Sequence, residues 1–220
     1  MKDVLKRLRE YTQNNHDLMK CHHYMFNLPL SQKQKADVII IGLNPGESAD
    51  DWKYDGPLPT EETSEFDFHN HSKVRSRSNI VWTKKCKDFF PDSSIYQTEF
   101  FFWSSSDLES GFEERFGYKF YENPHFDFCR KCNEEMFRYH KPKIICATGI
   151  GNHKLLADLY DLEHVETFKS KLDKRKRNVI IHYEFEDIPF IFTPHLTSGF
   201  VSNLEKSEIK TFLKKLISAE

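Results

Sequence analysis

The chain has 220 residues, of which 30% are charged and 15% are aromatic, and its formal net charge is -2. That length suits one well-cored domain, because two full domains would be cramped within it. The sequence has no apolar run of membrane-spanning length and no signal-peptide core after its first residues, which argues against a membrane or secreted protein. We therefore expect an intracellular protein.

Charge and cysteine content narrow the class of protein further. The small net charge and a sequence pI of about 6.6 give no global sign of a polyanionic partner, although a local basic stripe could still attract one. The five cysteines are an odd number without the spacing of a disulfide framework. They are typical of a protein from a reducing compartment.

The first predicted elements are a helix and a short strand. An amphipathic helix is predicted over residues 3 to about 20, because apolar residues recur there near helical spacing. The strand is predicted at Val38–Ile41, which are four consecutive β-branched residues. An unbroken apolar run of this length is typical of a strand covered on both faces, as at the centre of a parallel sheet.

The segment Gly42-Leu43-Asn44-Pro45-Gly46 ends this strand abruptly. Its two glycines permit backbone angles that other residues avoid, and Pro45 cannot donate to a sheet ladder. The amide of Asn44 both donates and accepts hydrogen bonds. The pattern therefore predicts a polar side chain at the carboxyl end of a central strand, where open α/β sheets bind their ligands.

A long acidic segment, residues 47–70, follows this turn and carries the aromatic residues Trp52, Tyr54, Phe66 and Phe68. Long segments without their own secondary structure are usually functional lids or disordered. Residues 73–90 form a predicted helix rich in lysine and arginine. The simplest interpretation of that basic run, and of the run Lys169–Arg177, is a solvated face.

The remaining elements alternate between strands and helices. The second strand is predicted at Gln97–Trp103 and leads directly into Ser104, Ser105 and Ser106, and a helix is predicted from Asn123 or Pro124 through Phe137. Further strands are predicted at Lys143–Gly149, at Val179–Phe185 as a more exposed strand, and at Ile188–Thr193, which leads to His195. Helices are predicted from Gly149 through Leu159 and over residues 203–217.

This order of elements predicts the fold class. Strands separated by helices imply right-handed crossovers and a parallel core. No internal repeat or linker interrupts the chain. We therefore predict a single α/β domain over residues 1–220, with three α/β/α layers and a central, mainly parallel sheet.

Two motifs resemble signatures of the uracil-DNA glycosylase superfamily. Gly42–Gly46 resembles its first motif, especially in the mismatch-specific and single-strand-selective branches, and His195-Leu196-Thr197 resembles the His-Pro-Ser-type motif after its last strand. The order of elements between the motifs also matches, so the resemblance covers roughly residues 36–217. It implies a uracil-DNA glycosylase-like fold.

The resemblance implies a DNA glycosylase, which hydrolyses the N-glycosidic bond of a flipped uracil-like, damaged or modified base and leaves an abasic site. Its catalytic residues would be Asn44 and His195. Asn44 would orient water at C1′, and His195 would donate to the base carbonyl oxygen, where negative charge develops. No lysine is evidently placed at a strand end to form an imine, so a monofunctional enzyme is expected.

The resemblance also suggests which residues would contact the substrate. Those expected to contact the base are Gly42, Leu43, Pro45, Gly46, Ser104, Ser105 and Tyr54. Tyr54 is the first choice for the stacking platform, and its competitors are Trp52, Phe66 and Phe68. The residues expected to contact DNA are Thr197 and Ser198, at flanking phosphates, and Phe200, as an apolar wedge.

Two departures from the family pattern bear on specificity. Family members that select uracil usually place an asparagine at the end of the second strand, where this chain has Trp103 followed by three serines. Leu196 replaces the proline that normally follows the motif histidine. Because a serine hydroxyl can donate or accept a hydrogen bond, a bulkier or modified base is compatible with this pocket.

No cofactor or metal is expected, and the predicted partner is DNA, bound by a monomer. Cys129 and Cys132 have redox or zinc-ligand spacing, and Cys21-His22-His23 could complete a site in principle, but no second pair of that spacing occurs. Two other classes of function stay open. One is a non-catalytic module that binds a flipped base or single-stranded DNA on the same fold, and the other is a hydrolase of free nucleosides or nucleotides.

Overall fold

A computed structural model describes residues 1–21, 24–30, 35–46, 77–108, 110–171, 176–196, 198–199 and 201–218. The chain divides into two compact units. The first comprises Met1–Leu28, Leu43–Val74 and Thr98–Tyr139, and the second comprises Pro29–Gly42, Arg75–Gln97 and His140–Glu220. None of the helices in the described part of the chain is long and apolar enough to cross a membrane.

Most strands of a mixed sheet belong to the second unit. The described strands of the sheet are β1 (Leu28–Pro29), β2 (Val38–Gly42), β3 (Ile95–Glu99), β4 (Ile144–Thr148), β5 (Glu163–Lys169), β6 (Asn178–Phe185) and β7 (Ile188–Thr193), in the order β1-β3-β2-β4-β7-β6-β5. β2 and β7 pair in parallel with β4, whereas β6 is antiparallel to both β7 and β5. Four of these five strands therefore run in one direction, which confirms the predicted α/β class.

The centre of this sheet matches the prediction from the sequence. Val38–Ile41 are fully buried, and so are all five residues of β4. The register pairs Ile41 with Ala147, and Thr148 with Thr193. The carboxyl ends of β2, β4 and β7 therefore lie along one edge of the sheet.

The predicted second strand, Gln97–Trp103, is wrong in its bounds, because β3 ends at Glu99. The run Phe100–Trp103 is fully buried outside the strand. Its backbone pairs with other loop residues: the Phe101 N–H donates to the Leu43 carbonyl at 2.9 Å, and the Phe102 carbonyl accepts from the Met25 N–H at 2.8 Å. An apolar run predicts burial, but it does not say whether the buried chain is a strand.

The far edge of the sheet also differs from the prediction. Val179–Phe185 was expected to be a more exposed strand, but β6 is mostly buried, since it lies between β7 and β5. β5 was not predicted at all. Every residue of β5 is exposed, and its polar sequence, Glu163 to Lys169, carries no apolar alternation that would indicate a strand.

Six α-helices occur among the described residues: α1 (Lys2–Asn14), α2 (Arg77–Phe89), α3 (Ser110–Phe116), α4 (Phe126–His140), α5 (His153–Tyr160) and α6 (Asn203–Ser218). The predicted first helix ends early, at Asn14, and a 3-10 turn at Leu18–Lys20 follows it. The closing helix lies where residues 203–217 predicted it. The helix predicted from Asn123 or Pro124 begins instead at Phe126.

Aromatic side chains fill the interior of the first unit, which contains α1, α3 and α4. Phe101 lies within about 5 Å, between ring centroids, of both Phe112 and Phe116 on α3. The indole N–H of Trp103 donates to the hydroxyl of Thr12 on α1 at 3.0 Å. The buried phenylalanine run after β3 thus forms the centre of this unit, because the two helices pack on its rings.

Candidate active site

The turn that follows β2 is attached to the segment after β3 by backbone contacts within the first unit. The Ser105 N–H donates to the Pro45 carbonyl at 3.1 Å, and Gly46 and Ser105 form a parallel bridge. Together with the bond from Phe101 to Leu43, these contacts fix both ends of the turn. The predicted motif is therefore held by neighbouring backbone as well as by its own proline and glycines.

The side-chain amide of Asn44 is held in one orientation. Its Nδ2 donates to the Ser105 Oγ at 2.7 Å and to the Pro45 carbonyl at 3.2 Å. The Ser105 hydroxyl donates its own proton to the Asp107 carbonyl at 2.7 Å. Because the single hydroxyl proton is used there, Ser105 can only accept from Asn44, and the amide must present its NH2 group to Ser105.

This orientation leaves Oδ1 of Asn44 as the atom that can meet a ligand. Asn44 is half-buried, and among the described residues no hydrogen-bond partner of Oδ1 occurs. A carbonyl oxygen accepts hydrogen bonds and carries no charge. The arrangement can therefore orient a water molecule or an N–H group of a ligand, but it cannot remove a proton.

The serine triplet divides into buried and exposed members. Ser104 and Ser105 are both buried, whereas Ser106 is exposed. The Ser104 carbonyl accepts from Nη1 of Arg115 at 3.2 Å. The Ser105 hydroxyl accepts a hydrogen bond from Asn44 and donates one to the Asp107 carbonyl. Its role in the structure is therefore to orient the Asn44 amide. That Ser104 or Ser105 contacts a base stays a prediction.

His195 follows β7 by two residues and belongs to the second unit. Its carbonyl accepts from the Ser198 N–H at 2.8 Å, and the next residue, Leu196, is buried. His195 is exposed, but the surrounding protein removes part of its side chain from water. This burial lowers the pKa of His195 below its ordinary value, which favours the neutral ring at neutral pH.

The aromatic neighbour of His195 is Trp82, on α2. The two rings stack with centroids 4.8 Å apart and planes inclined by 28°. The indole N–H donates to Oε1 of Gln97, on β3, at 2.9 Å. Sequence reasoning missed Trp82, because it lies in a helix whose basic residues suggested a solvated face, and no spacing distinguishes it from a core tryptophan.

Several predicted contact residues lie outside the described part of the chain. They are Tyr54, with its competitors Trp52, Phe66 and Phe68, and also Thr197 and Phe200. Ser198 is described and half-buried. The structure therefore brings together Asn44 and Ser105 in the first unit, and it gives His195 a partner, Trp82, in the second.

The two motifs follow strands that end at the same edge of the sheet. β2 and β7 flank β4, and all three run in parallel. Gly149, directly after β4, has a φ of +127°, which favours glycine, and its N–H donates to the Thr193 carbonyl at 2.9 Å. This bond fixes the end of β7 immediately before Pro194 and His195.

The cysteines of the Cys129-to-Cys132 pair are buried in α4. Burial raises the pKa of the Cys132 thiol to about 12 and raises that of Cys129 well above its ordinary value. Burial therefore favours the protonated form of both thiols. In the described ranges, no group of three or more His, Cys, Asp or Glu side chains is placed to hold a metal ion.

Comparison with known proteins adds no family to this description. No protein-family model matches the chain. No curated protein matches its sequence at a significant level.

Proposed function

We propose that this protein is a monofunctional DNA glycosylase with a three-layer, uracil-DNA glycosylase-like fold, in which Asn44 and His195 serve one active site. The observation that carries the proposal is the fixed orientation of the Asn44 amide by Ser105. An amide held with its carbonyl oxygen outward, after a motif that resembles the first glycosylase motif, suits the positioning of water. The expected substrate is DNA that contains a uracil-like, damaged or modified base.

Hydrolysis of the N-glycosidic bond defines what the two side chains must do. The bond between C1′ and the base nitrogen breaks, and its electron pair leaves with the base. A new bond forms between C1′ and a water oxygen, which loses a proton to solvent. The products are a free base and an abasic site, so the enzyme needs a group that orients water and a group that stabilises the anionic base.

Asn44 would perform the first task. Oδ1 accepts a hydrogen bond from the water, which directs an oxygen lone pair toward C1′. Since the amide does not take the proton, the sugar must already carry much of its positive charge when water attacks. Asn44 thus contributes by placing the water, and correct placement of reacting groups supplies a large part of enzymatic rate acceleration.

His195 would perform the second task. A neutral imidazole donates one N–H to the carbonyl oxygen of the departing base, where negative charge accumulates. The lowered pKa of His195 is consistent with the neutral form. A neutral donor strengthens its hydrogen bond as the base becomes anionic, which favours the transition state over the bound substrate.

The strands that lead to the two motifs, β2 and β7, belong to the same sheet. β2 and β7 are separated by one strand, so their ends are roughly 10 Å apart across the sheet. We propose that the base contacts the turn Gly42–Gly46, with flanking DNA on Thr197, Ser198 and Phe200, and with Tyr54 as its stacking platform.

The test is a base-release assay on single- and double-stranded oligonucleotides that carry uracil, deaminated bases or oxidised bases. Alkaline cleavage then reports each abasic site. We expect release from at least one substrate, and we expect Asn44→Ala and His195→Ala to slow it by about 100-fold or more, the usual cost of losing a catalytic group. The matched controls are Asn178→Ala on β6 and His164→Ala on β5, which should retain activity.

Three outcomes separate the alternatives. Intact DNA with every lesion, together with salt-sensitive binding that survives Asn44→Ala, favours a non-catalytic binding module and ends the enzymatic proposal. Base release from free nucleosides or nucleotides, without binding to oligonucleotides, identifies a hydrolase of monomers. Release from oligonucleotides that disappears in both variants and persists in both controls supports the glycosylase.

A further inference from the structure

In the second unit, the indole ring of Trp82 contacts the imidazole ring of His195. Trp82 belongs to neither of the two motifs that resemble the glycosylase signatures. The indole covers one face of the imidazole at a centroid distance of 4.8 Å. The indole itself is restrained, because its N–H donates to Gln97 at 2.9 Å and Gln97 is buried in the sheet. A chain of contacts thus runs from a rigid strand, through α2, to the histidine.

A histidine that follows a strand needs such a restraint. Its side chain has two rotatable bonds, and the residue is exposed in a loop. A ring that rotates freely would present its N–H in the required direction only part of the time. A stacked aromatic partner restricts these alternative orientations.

We propose that Trp82 is a positioning residue for His195, and that Gln97 anchors it. The indole holds the plane of the imidazole, and with it the direction in which the ring can donate a hydrogen bond. The face of His195 that Trp82 covers is closed to stacking by a base. The kinetic part of this inference rests on the proposed glycosylase activity, whereas the restraint on the ring does not.

The first experiment measures the restraint itself in the full-length protein. In a sample labelled at histidine, the ring C–H signals of His195 are identified by their loss in His195→Gln. A ring stacked on an indole face experiences a ring current, so these signals should lie upfield in the wild type. They should return toward ordinary positions in Trp82→Leu and remain shifted in Trp82→Phe, which keeps an aromatic face.

The second experiment measures catalysis with the substrate found by the base-release assay. We expect Trp82→Leu to lower kcat roughly three- to tenfold, which corresponds to the usual strength of an aromatic pair, and to leave KM unchanged. Trp82→Phe should recover most of the loss. Phe168→Leu, at an exposed aromatic residue of β5, is the control for general destabilisation and should retain full kcat.

Each result has a distinct meaning. Unshifted His195 signals in the wild type, or signals that Trp82→Leu does not move, overturn the inference. A rise in KM at constant kcat also overturns it, because Trp82 would then contact the substrate directly. If the wild type releases no base at all, the proposed function fails, and the histidine signals alone still decide whether Trp82 holds His195. If Trp82→Leu does not fold, Trp82→Phe and the wild-type shift supply the same decision.

Discussion

Ser105 accepts a hydrogen bond from Asn44 at 2.7 Å and gives its own proton to the Asp107 carbonyl at 2.7 Å. The donor and acceptor roles in these two hydrogen bonds decide how the Asn44 amide is oriented. If the hydroxyl proton pointed to Asn44, the amide would present its NH2 group to the ligand and would repel the hydrogens of a water molecule. The backbone carbonyl of Asp107 thus determines which atom of Asn44 would meet the substrate of the proposed glycosylase.

The first prediction concerns Ser105. We expect Ser105→Ala to lower base release about tenfold, because it removes one hydrogen bond of ordinary strength and allows the amide to rotate. Ser105→Thr, which retains the hydroxyl, should restore part of the rate. The measurement is single-turnover base release at saturating protein.

The control for this prediction is the neighbouring serine. Ser106 is exposed, so Ser106→Ala should keep the wild-type rate. Equal losses in both variants would mean that the segment tolerates no change, and an unchanged rate in Ser105→Ala would show that Asn44 does not depend on its hydroxyl.

The sequence predicted the elements that carry strong local signals. Four consecutive β-branched residues identified β2 correctly, and the amphipathic pattern of residues 203–217 identified α6. It failed where tertiary contacts decide the structure. The apolar run Phe100–Trp103 is buried outside any strand, and β5, which has no strand pattern of its own, pairs along the edge of β6.

In the candidate site, too, the sequence predicts the local motifs but not the tertiary contacts of their side chains. The motifs around Asn44 and His195 are local, so they can be recognised in the sequence. The partners of those side chains are distant in the chain: Ser105 lies 61 residues from Asn44. Trp82 is similarly remote from His195, and nothing in its surrounding sequence indicates a ring contact. Only the folded chain reveals which neighbours orient the two groups.

A second prediction concerns the stability of the first unit. Oδ2 of Asp17 accepts hydrogen bonds from His125 and from Tyr118, both at 2.8 Å. Burial opposes ionisation of this carboxyl, but the two hydrogen bonds outweigh it and lower the pKa of Asp17. We expect Asp17→Asn to reduce the free energy of unfolding by about 1.5–3 kcal/mol, the range for hydrogen bonds to a charged group.

Urea unfolding at several pH values tests this prediction. A carboxyl with a lowered pKa stabilises the folded state above its ordinary pKa of 3.8 and loses that contribution as the pH falls further. The difference between wild type and Asp17→Asn should therefore be present at pH 7 and shrink in stronger acid. Asp3→Asn, on the first turn of α1, is the control. A difference that grows in acid would contradict the assignment.

A third prediction concerns the five cysteines, which are all free and buried. Burial raises the pKa of Cys146 to about 12, as it does for Cys132, so the reactive thiolate is scarce at neutral pH. We expect no thiol of the native protein to react promptly with Ellman's reagent, and all five to react in urea. A chelator should leave the unfolding midpoint unchanged. Prompt labelling of two thiols after chelation would instead reveal a metal bound by Cys129 and Cys132.

A fourth prediction concerns the start of α6, where Glu205 is buried. Its Oε2 accepts from Arg177 at 2.8 Å and from both the backbone N–H and the hydroxyl of Ser202, while the Ser202 Oγ accepts from the Glu205 N–H at 3.2 Å. This reciprocal pair is a capping box, and it satisfies N–H groups that the first helical turn leaves open. The first turn of α6 is thereby fixed to Ser202 and Arg177.

Ionisation of Glu205 links this cap to pH. Burial would raise its pKa, but the hydrogen bonds from Ser170, Ser202 and Arg177 outweigh burial and hold the pKa of Glu205 at about 2, below the ordinary 4.5. Because the folded-state pKa is the lower one, the stabilisation is complete above about pH 5 and is lost as the pH falls toward 2. We expect Glu205→Gln to cost about 2 kcal/mol at pH 7 and much less at pH 3. The control is Glu208→Gln, one turn further along α6, which should change the free energy of unfolding little at either pH. If the cost of Glu205→Gln did not depend on pH, the charge of Glu205 would not contribute to the cap.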